Sequence, residues 1–78
     1  MADEKIVDAR RLLCPMPVIR LQQTIARLAP GDEVDLLSTD PGSRRDVPAW
    51  CRVHGHELLS CEEREDGVIV TRVRVTDR

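Results

Sequence analysis

Two prolines placed two residues apart, directly after a cysteine, constrain this chain most: Cys14-Pro15-Met16-Pro17. Proline has no backbone N–H and a fixed φ. A helix accommodates it best in the first turn, where the N–H groups lack an intrahelical partner. Downstream, the apolar residues Val18, Leu21, Ile25 and Leu28 recur at steps of three and four, one face of an amphipathic helix. A helix is therefore expected from about Pro15 to Leu28, with Cys14 at or beside its N-cap. A sulfur so placed feels the positive end of the helix dipole, which favours its anion.

The rest of the composition bounds what can support that helix. The chain has 78 residues, enough for a single domain over 1–78 with an ordered core from about 5 to 76. A domain of this size buries only roughly 60% of the surface its unfolded chain exposes. There is no Phe or Tyr and one Trp, so Val, Leu and Ile must build the core. The same scarcity argues against modules that stack nucleic-acid bases on aromatic platforms. Twelve Lys and Arg against fourteen Asp and Glu give a net charge of −2, whereas a general phosphate-binding surface is basic. Local positive patches stand at Arg10-Arg11 and Arg44-Arg45. Met1 to Lys5 is polar and charged, unlike a secretory signal, and no apolar run is long enough to span a bilayer. Three cysteines do not suggest a small disulfide framework. A cytoplasmic protein with free thiols is expected.

Lys5 to Asp8, with Ile6-Val7, reads as a short first strand. Ala29-Pro30-Gly31 ends the first helix, and Glu33 to Ser38 reads as a strand. Thr39-Asp40-Pro41-Gly42 is a turn signal in which Asp40-Pro41 can open one helical turn. Pro48 belongs in a first turn, so the main second helix is expected after Asp46, running through Trp50 to His54 and stopping at Gly55. Glu57 to Glu63 and Val68 to Val75 form a hairpin around Glu65-Asp66-Gly67. In the last strand Ile69, Thr71, Val73 and Val75 share one face, with Arg72 and Arg74 on the other. The order β-α-β-α-β-β points to an α/β (α+β) two-layer sandwich, a four-stranded mixed sheet with two helices on one face.

Other side chains have structural readings. Unpaired cysteine is commonly buried, which suits Cys51 beside Trp50 and Cys61, which alternation aligns with Leu59. Cys51, His54 and His56 are a weak zinc pattern that lacks a fourth ligand, and no metal site is expected. Asp40, Arg45 and Asp46 suit helix capping and a local ion pair, or a docking surface near the sulfur. Leu13 and Met16 can collar a partner or cover the core edge.

These residues resemble the TusA (formerly SirA) sulfur-carrier family, whose motif is Cys-Pro-x-Pro at the start of the first helix. The resemblance extends to Asp8 six residues before the cysteine and to Pro30-Gly31. Further along it includes Thr39-Asp40-Pro41, Arg45-Asp46-Val47-Pro48 and His56-Glu57-Leu58. It covers about Ile6 to Val75. Two departures from the family pattern stand out: Arg11 stands where glycine is usual, and Leu13, before the cysteine, and Met16, the x of the motif, stand where charged residues are common.

The resemblance implies a sulfur-relay carrier, sulfurtransferase-type but acting on protein partners. Sulfane sulfur would be held as a persulfide on Cys14, with no other cofactor. The donor would be a cysteine desulfurase or a rhodanese. A further protein would accept the sulfur, in tRNA thiolation, cofactor biosynthesis or sulfur oxidation. Direct nucleic-acid or membrane binding is not implied, and a small carrier is expected to be a monomer. The alternatives are a non-catalytic binding or regulatory module on the same fold, or selenium handling. Because Pro15 and Pro17 supply no N–H, the Met16 and Val18 N–H groups are the donors expected to serve the sulfur, with Arg10 and Arg11 adding a favourable field.

Overall fold

A computed structural model describes residues 6–13 and 16–76. Lys5, Cys14 and Pro15, named above, lie outside the described residues. Six elements follow in order: β1 (Ile6–Ala9), α1 (Met16–Ile25), β2 (Glu33–Ser38), α2 (Ser43–His54), β3 (Glu57–Glu63) and β4 (Ile69–Arg74). The sheet order is β1-β2-β4-β3. β1 runs parallel to β2, with Ile6 opposite Asp35 and Ala9 opposite Ser38. β4 is antiparallel to both β2 and β3. The expected mixed sheet with two helices is the architecture found.

Alternation along the two inner strands decides which face is covered. Val34, Leu36 and Ser38 of β2 and Ile69, Thr71 and Val73 of β4 are buried. Val34, Leu36 and Val73 form one core with Leu21 and Ile25 of α1 and Val47 and Cys51 of α2, with Leu28 and Trp50 packed at the margin. Removing each such aliphatic side chain from water is worth roughly 1.5–3 kcal/mol. The opposite sheet face is wet and carries ion pairs. Arg72 forks onto Asp35 (2.8 and 3.1 Å), and Arg74 bridges Glu33 and Glu57 (both 3.2 Å).

Three local details differ from the sequence expectation. α1 ends at Ile25, and the chain then tightens, with the Arg27 and Leu28 N–H groups donating to the carbonyls of Thr24 and Ile25 three residues back. Gly31, at φ 96°, turns the chain out, and its N–H donates to the Val75 carbonyl at 2.7 Å.

The second difference is a correction: α2 is one helix from Ser43, and Pro48 lies inside it rather than in its first turn. Its opening turn is wound by bonds from the Ser43, Arg44 and Arg45 N–H groups to the carbonyls three residues back. Pro48 removes one bond to the carbonyl of Arg44, an exposed residue. An interior proline costs about 3 kcal/mol. Burial of Val47 (0% exposed) and Cys51 (1%) on one helix face offsets it.

The third is a bulge in β3 between Leu58 and Ser60. It breaks strict alternation, so Leu58 pairs with Val73 and Cys61 with Thr71 on the helix side. Cys61 is only half-buried, with the Thr71 hydroxyl 3.6 Å from its Sγ. Cys51 is fully buried, and desolvation pushes its thiol up to about 11.

These environments predict the labelling pattern. At pH 8 an alkylating reagent leaves Cys51 unmodified in the native protein and modifies it after denaturation, with Cys61 reacting at an intermediate rate. Peptide mapping of native Cys51 labelled as fast as Cys61 would contradict the packing.

Candidate functional site at the start of the first helix

Parallel pairing of β1 with β2 forces α1 to cross back over the sheet, so α1 starts beyond the carboxyl end of β1. The chain between them, residues 10–15, forms the candidate site. Its motif residues Cys14 and Pro15 lie outside the described residues, but their neighbours are placed. Leu13 is 75% exposed and Met16 38% exposed, while Pro17 is buried against the core. The Met16 N–H donates to the Leu13 carbonyl at 2.8 Å. That bond ties Leu13 to the first residue of α1. It also engages the Met16 N–H, expected from the sequence to serve the sulfur. No acidic residue stands in the first turn of α1 to oppose an anion there.

The loop before the turn is held at two points. Asp8, on the wet face of β1, accepts from the Arg10 backbone N–H (3.2 Å) and from both arms of its guanidinium (2.8 Å each). These bonds hold the Asp8 carboxyl at about 2 and raise the pKa of Arg10. Arg11 adopts φ 71°, the left-handed region where glycine carries no Cβ penalty. Its N–H donates to the Thr39 hydroxyl at 2.9 Å, tying the loop to the end of β2. Arg11 therefore takes the conformation for which glycine is suited, with the tertiary bond to Thr39 helping to hold it. Asp8, Arg10, Arg11 and Thr39 line an open cleft of about 450 Å³.

β2 delivers the second helix to the same end of the sheet. Ser38 and Ser43 share a buried hydroxyl–hydroxyl bond of 2.6 Å between the end of β2 and the start of α2. Asp40 accepts the Gly42 N–H (3.2 Å), and Gly42, not an aspartate, takes the N-cap position. Asp46 lies in the first turn of α2. Arg45 is exposed, its N–H given to the Gly42 carbonyl. It is Arg44 that reaches across to Glu63, at 3.0 Å, a pairing the sequence did not suggest because its partner is 19 residues away.

The remaining candidates lie at the other end of α2. Trp50 stands against both His54 and His56, with ring centroids 4.8 and 5.4 Å apart. His56 Nδ1 accepts the Thr76 N–H at 3.3 Å. Among the described residues no three His, Cys, Asp or Glu side chains converge as metal ligands. No helix among them is long and apolar enough to cross a membrane.

Two measurements follow from the loop. The Asp8 carboxyl should titrate by NMR near pH 2 instead of the usual 3.8, and Arg10→Ala should return it toward that value. Because its folded pKa is lowered, the stabilisation from this carboxylate is present above about pH 4 and is withdrawn as pH falls toward 2. Arg11→Gly should stabilise the fold by up to about 1 kcal/mol, read as a higher denaturant midpoint, relief of the left-handed backbone exceeding the added unfolded-state entropy. A lowered midpoint would show that the Arg11 side chain stabilises the loop more than its backbone strains it.

Comparison with known proteins agrees with this arrangement. The sequence model of the sulfurtransferase TusA family matches residues 5–75. The sulfur carrier protein TusA of Pseudomonas putida is 45% identical over 60 residues, covering 77% of this chain and 75% of its own. The YrkI protein of Bacillus subtilis is 36% identical over 70 residues, 90% of this chain and 91% of its own. The crystal structure of a SirA-like protein from Desulfitobacterium hafniense superposes with a TM-score of 0.82 at 27% identity, covering 92% of this chain and 97% of that one. With a family match spanning all six elements and the Cys-Pro-Met-Pro sequence at the turn into α1, the chain belongs to the TusA family.

Proposed function

We propose that this chain is a sulfur carrier that holds sulfane sulfur as a persulfide on Cys14. It receives the sulfur from a donor protein, a cysteine desulfurase or a rhodanese, and passes it to an acceptor protein. Those steps lie in tRNA thiolation, cofactor biosynthesis or sulfur oxidation. The observation that carries the reading is the family match across residues 5–75, joined to the Cys-Pro-Met-Pro sequence. The proposed setting is the cytoplasm, where thiols stay reduced, in keeping with the unpaired Cys51 and Cys61.

The chemistry is thiol–persulfide exchange. The Cys14 thiolate attacks the outer sulfur of a donor persulfide. A new S–S bond forms to Cys14, the donor's own S–S bond breaks, and the donor cysteine leaves as its thiolate. The proton on the transferred sulfur stays with it, and no net oxidation occurs. Delivery repeats the exchange, with an acceptor thiolate attacking the outer sulfur on Cys14. A free thiol with a pKa near ~8.5 is mostly protonated at neutral pH. The start of α1, without a first-turn acid, favours the thiolate. Exposed Leu13 and Met16 on either side suit a sulfur that must enter another protein's active site.

Mass spectrometry after incubation with a cysteine desulfurase and cysteine, or with a persulfidated rhodanese, tests the proposal. A gain of about 32 Da, one sulfur atom, should map to Cys14 and be absent from Cys14→Ser, whose fold is unchanged by circular dichroism. Protein that stays unmodified with both donors, or a Cys14→Ser variant that loads as well as the wild type, would overturn it in favour of a non-catalytic binding module.

A further inference from the structure

Charge is divided unevenly along this chain. Residues 10–29 contain four arginines and no acid, whereas the whole chain has fourteen acidic and twelve basic residues. That cationic segment runs from the loop before α1, along the helix, to the turn after it. Arg10 is committed to Asp8. Arg11 lies on the loop, Arg20 on α1 and Arg27 on the turn after it, all exposed. Among the described residues the ion pairs engage Arg10, Arg44, Arg72 and Arg74, and none engages these three.

Apolar side chains stand within this basic frame. Leu13, Met16 and Ile19 are 75%, 38% and 37% exposed. Met16, Ile19 and Arg20 recur at steps of three and four, opposite the Leu21 and Ile25 face that enters the core. Leu13 is largely in water, and Met16 and Ile19 each leave more than a third of their surface there, which is unfavourable in the isolated chain. An apolar centre with a polar rim is the anatomy of a protein interface.

From this juxtaposition we infer that the outer face of α1 is a docking surface for a protein whose matching site is an apolar recess rimmed by carboxylates. Leu13, Met16 and Ile19 fill the recess, and Arg11, Arg20 and Arg27 meet the rim. The inference rests on the carrier reading only in saying what the docking is for. A protein occupant fits better than a nucleic acid. The apolar side chains between the arginines offer a nucleic acid no hydrogen-bond donor for phosphate or base edges. The chain's one aromatic residue, Trp50, is on α2 and gives α1 no base-stacking platform. Exposed arginines of this kind steer encounter and sharpen partner choice, and salt screens them.

Affinity for a cysteine desulfurase and for a rhodanese, each measured by calorimetry at 50 and 300 mM NaCl, tests the surface. With at least one of them, the wild type should bind more weakly at the higher salt, by about tenfold. Arg20→Glu/Arg27→Glu should weaken binding at least tenfold at 50 mM and much less at 300 mM. Ile19→Asp should weaken it at both. Arg52→Glu on α2 makes the same type of charge change away from this face and should stay within twofold. All variants alter exposed positions, so thermal melts should confirm that they fold. Salt-independent affinity, an unaffected double variant, an equal effect of Arg52→Glu, or no binding to either protein would overturn the inference. So would arginine-dependent binding of a tRNA probe without arginine-dependent protein binding. Loading of wild-type Cys14 by inorganic polysulfide separates the two claims. A chain that loads but lacks the charge dependence keeps its carrier role and loses this surface. A chain that docks as described but never loads keeps the surface and loses the carrier role.

Discussion

The parallel pairing of β1 with β2 is the constraint on which the rest of the molecule depends. Two parallel neighbours cannot be joined by a hairpin, so the chain must return along the sheet before β2 begins. α1 makes that return, and its start is thereby fixed beyond the carboxyl end of β1. β2 ends beside β1, Ser38 opposite Ala9, and leads directly into α2. Both helices therefore open at the same end of the sheet, and the positive ends of both backbone dipoles gather there. Met16 and Pro17, the first residues of α1, sit at that end as a consequence of topology.

Small hydrogen-bonded ties make this end rigid. The Arg11 N–H to the Thr39 hydroxyl joins the first loop to β2, and the Ser38–Ser43 hydroxyl pair joins β2 to α2. The Asp8–Arg10 fork orders the loop from the wet side of the sheet. Exposed ion pairs add little stability on their own, so their contribution here is positional. The stability lies in the aliphatic layer between helices and sheet. That layer takes in Cys51 and keeps its thiol protonated, which leaves the motif cysteine to carry any sulfur chemistry without a buried competitor.

Opposite surfaces of the molecule treat charge differently. On the open sheet face Arg72 and Arg74 are matched by Asp35, Glu33 and Glu57, so the arginines of that face are paired within it. Around α1, Arg10 is paired with Asp8, whereas Arg11, Arg20 and Arg27 have no ion pair among the described residues, and exposed apolar side chains accompany them. A carrier that hands its cargo from protein to protein needs one surface that is not self-satisfied, and in this chain it adjoins the motif.

Much of this was legible in the one-dimensional pattern. Apolar residues between turn signals located β2, and period-two alternation gave β4 its buried and charged faces, because a strand's side chains alternate whatever it packs against. Proline and glycine marked the start of α1, the turn at Gly31 and the end of α2 at Gly55, because their backbone restrictions are local. Where local rules misled, tertiary packing had overridden them. Pro48 sits inside α2 because Val47 and Cys51 are buried on that helix. Leu58 and Cys61 face the same side because a bulge resets the strand. Arg11 holds a left-handed backbone while bonded to a hydroxyl 28 residues away. The sequence by itself determined the elements, the motif and the uneven charge, all of which are properties of neighbours along the chain. Only the tertiary structure decided that two helix starts and the Thr39 tie meet at one end of the sheet, because that meeting depends on strand order and register between residues far apart in sequence.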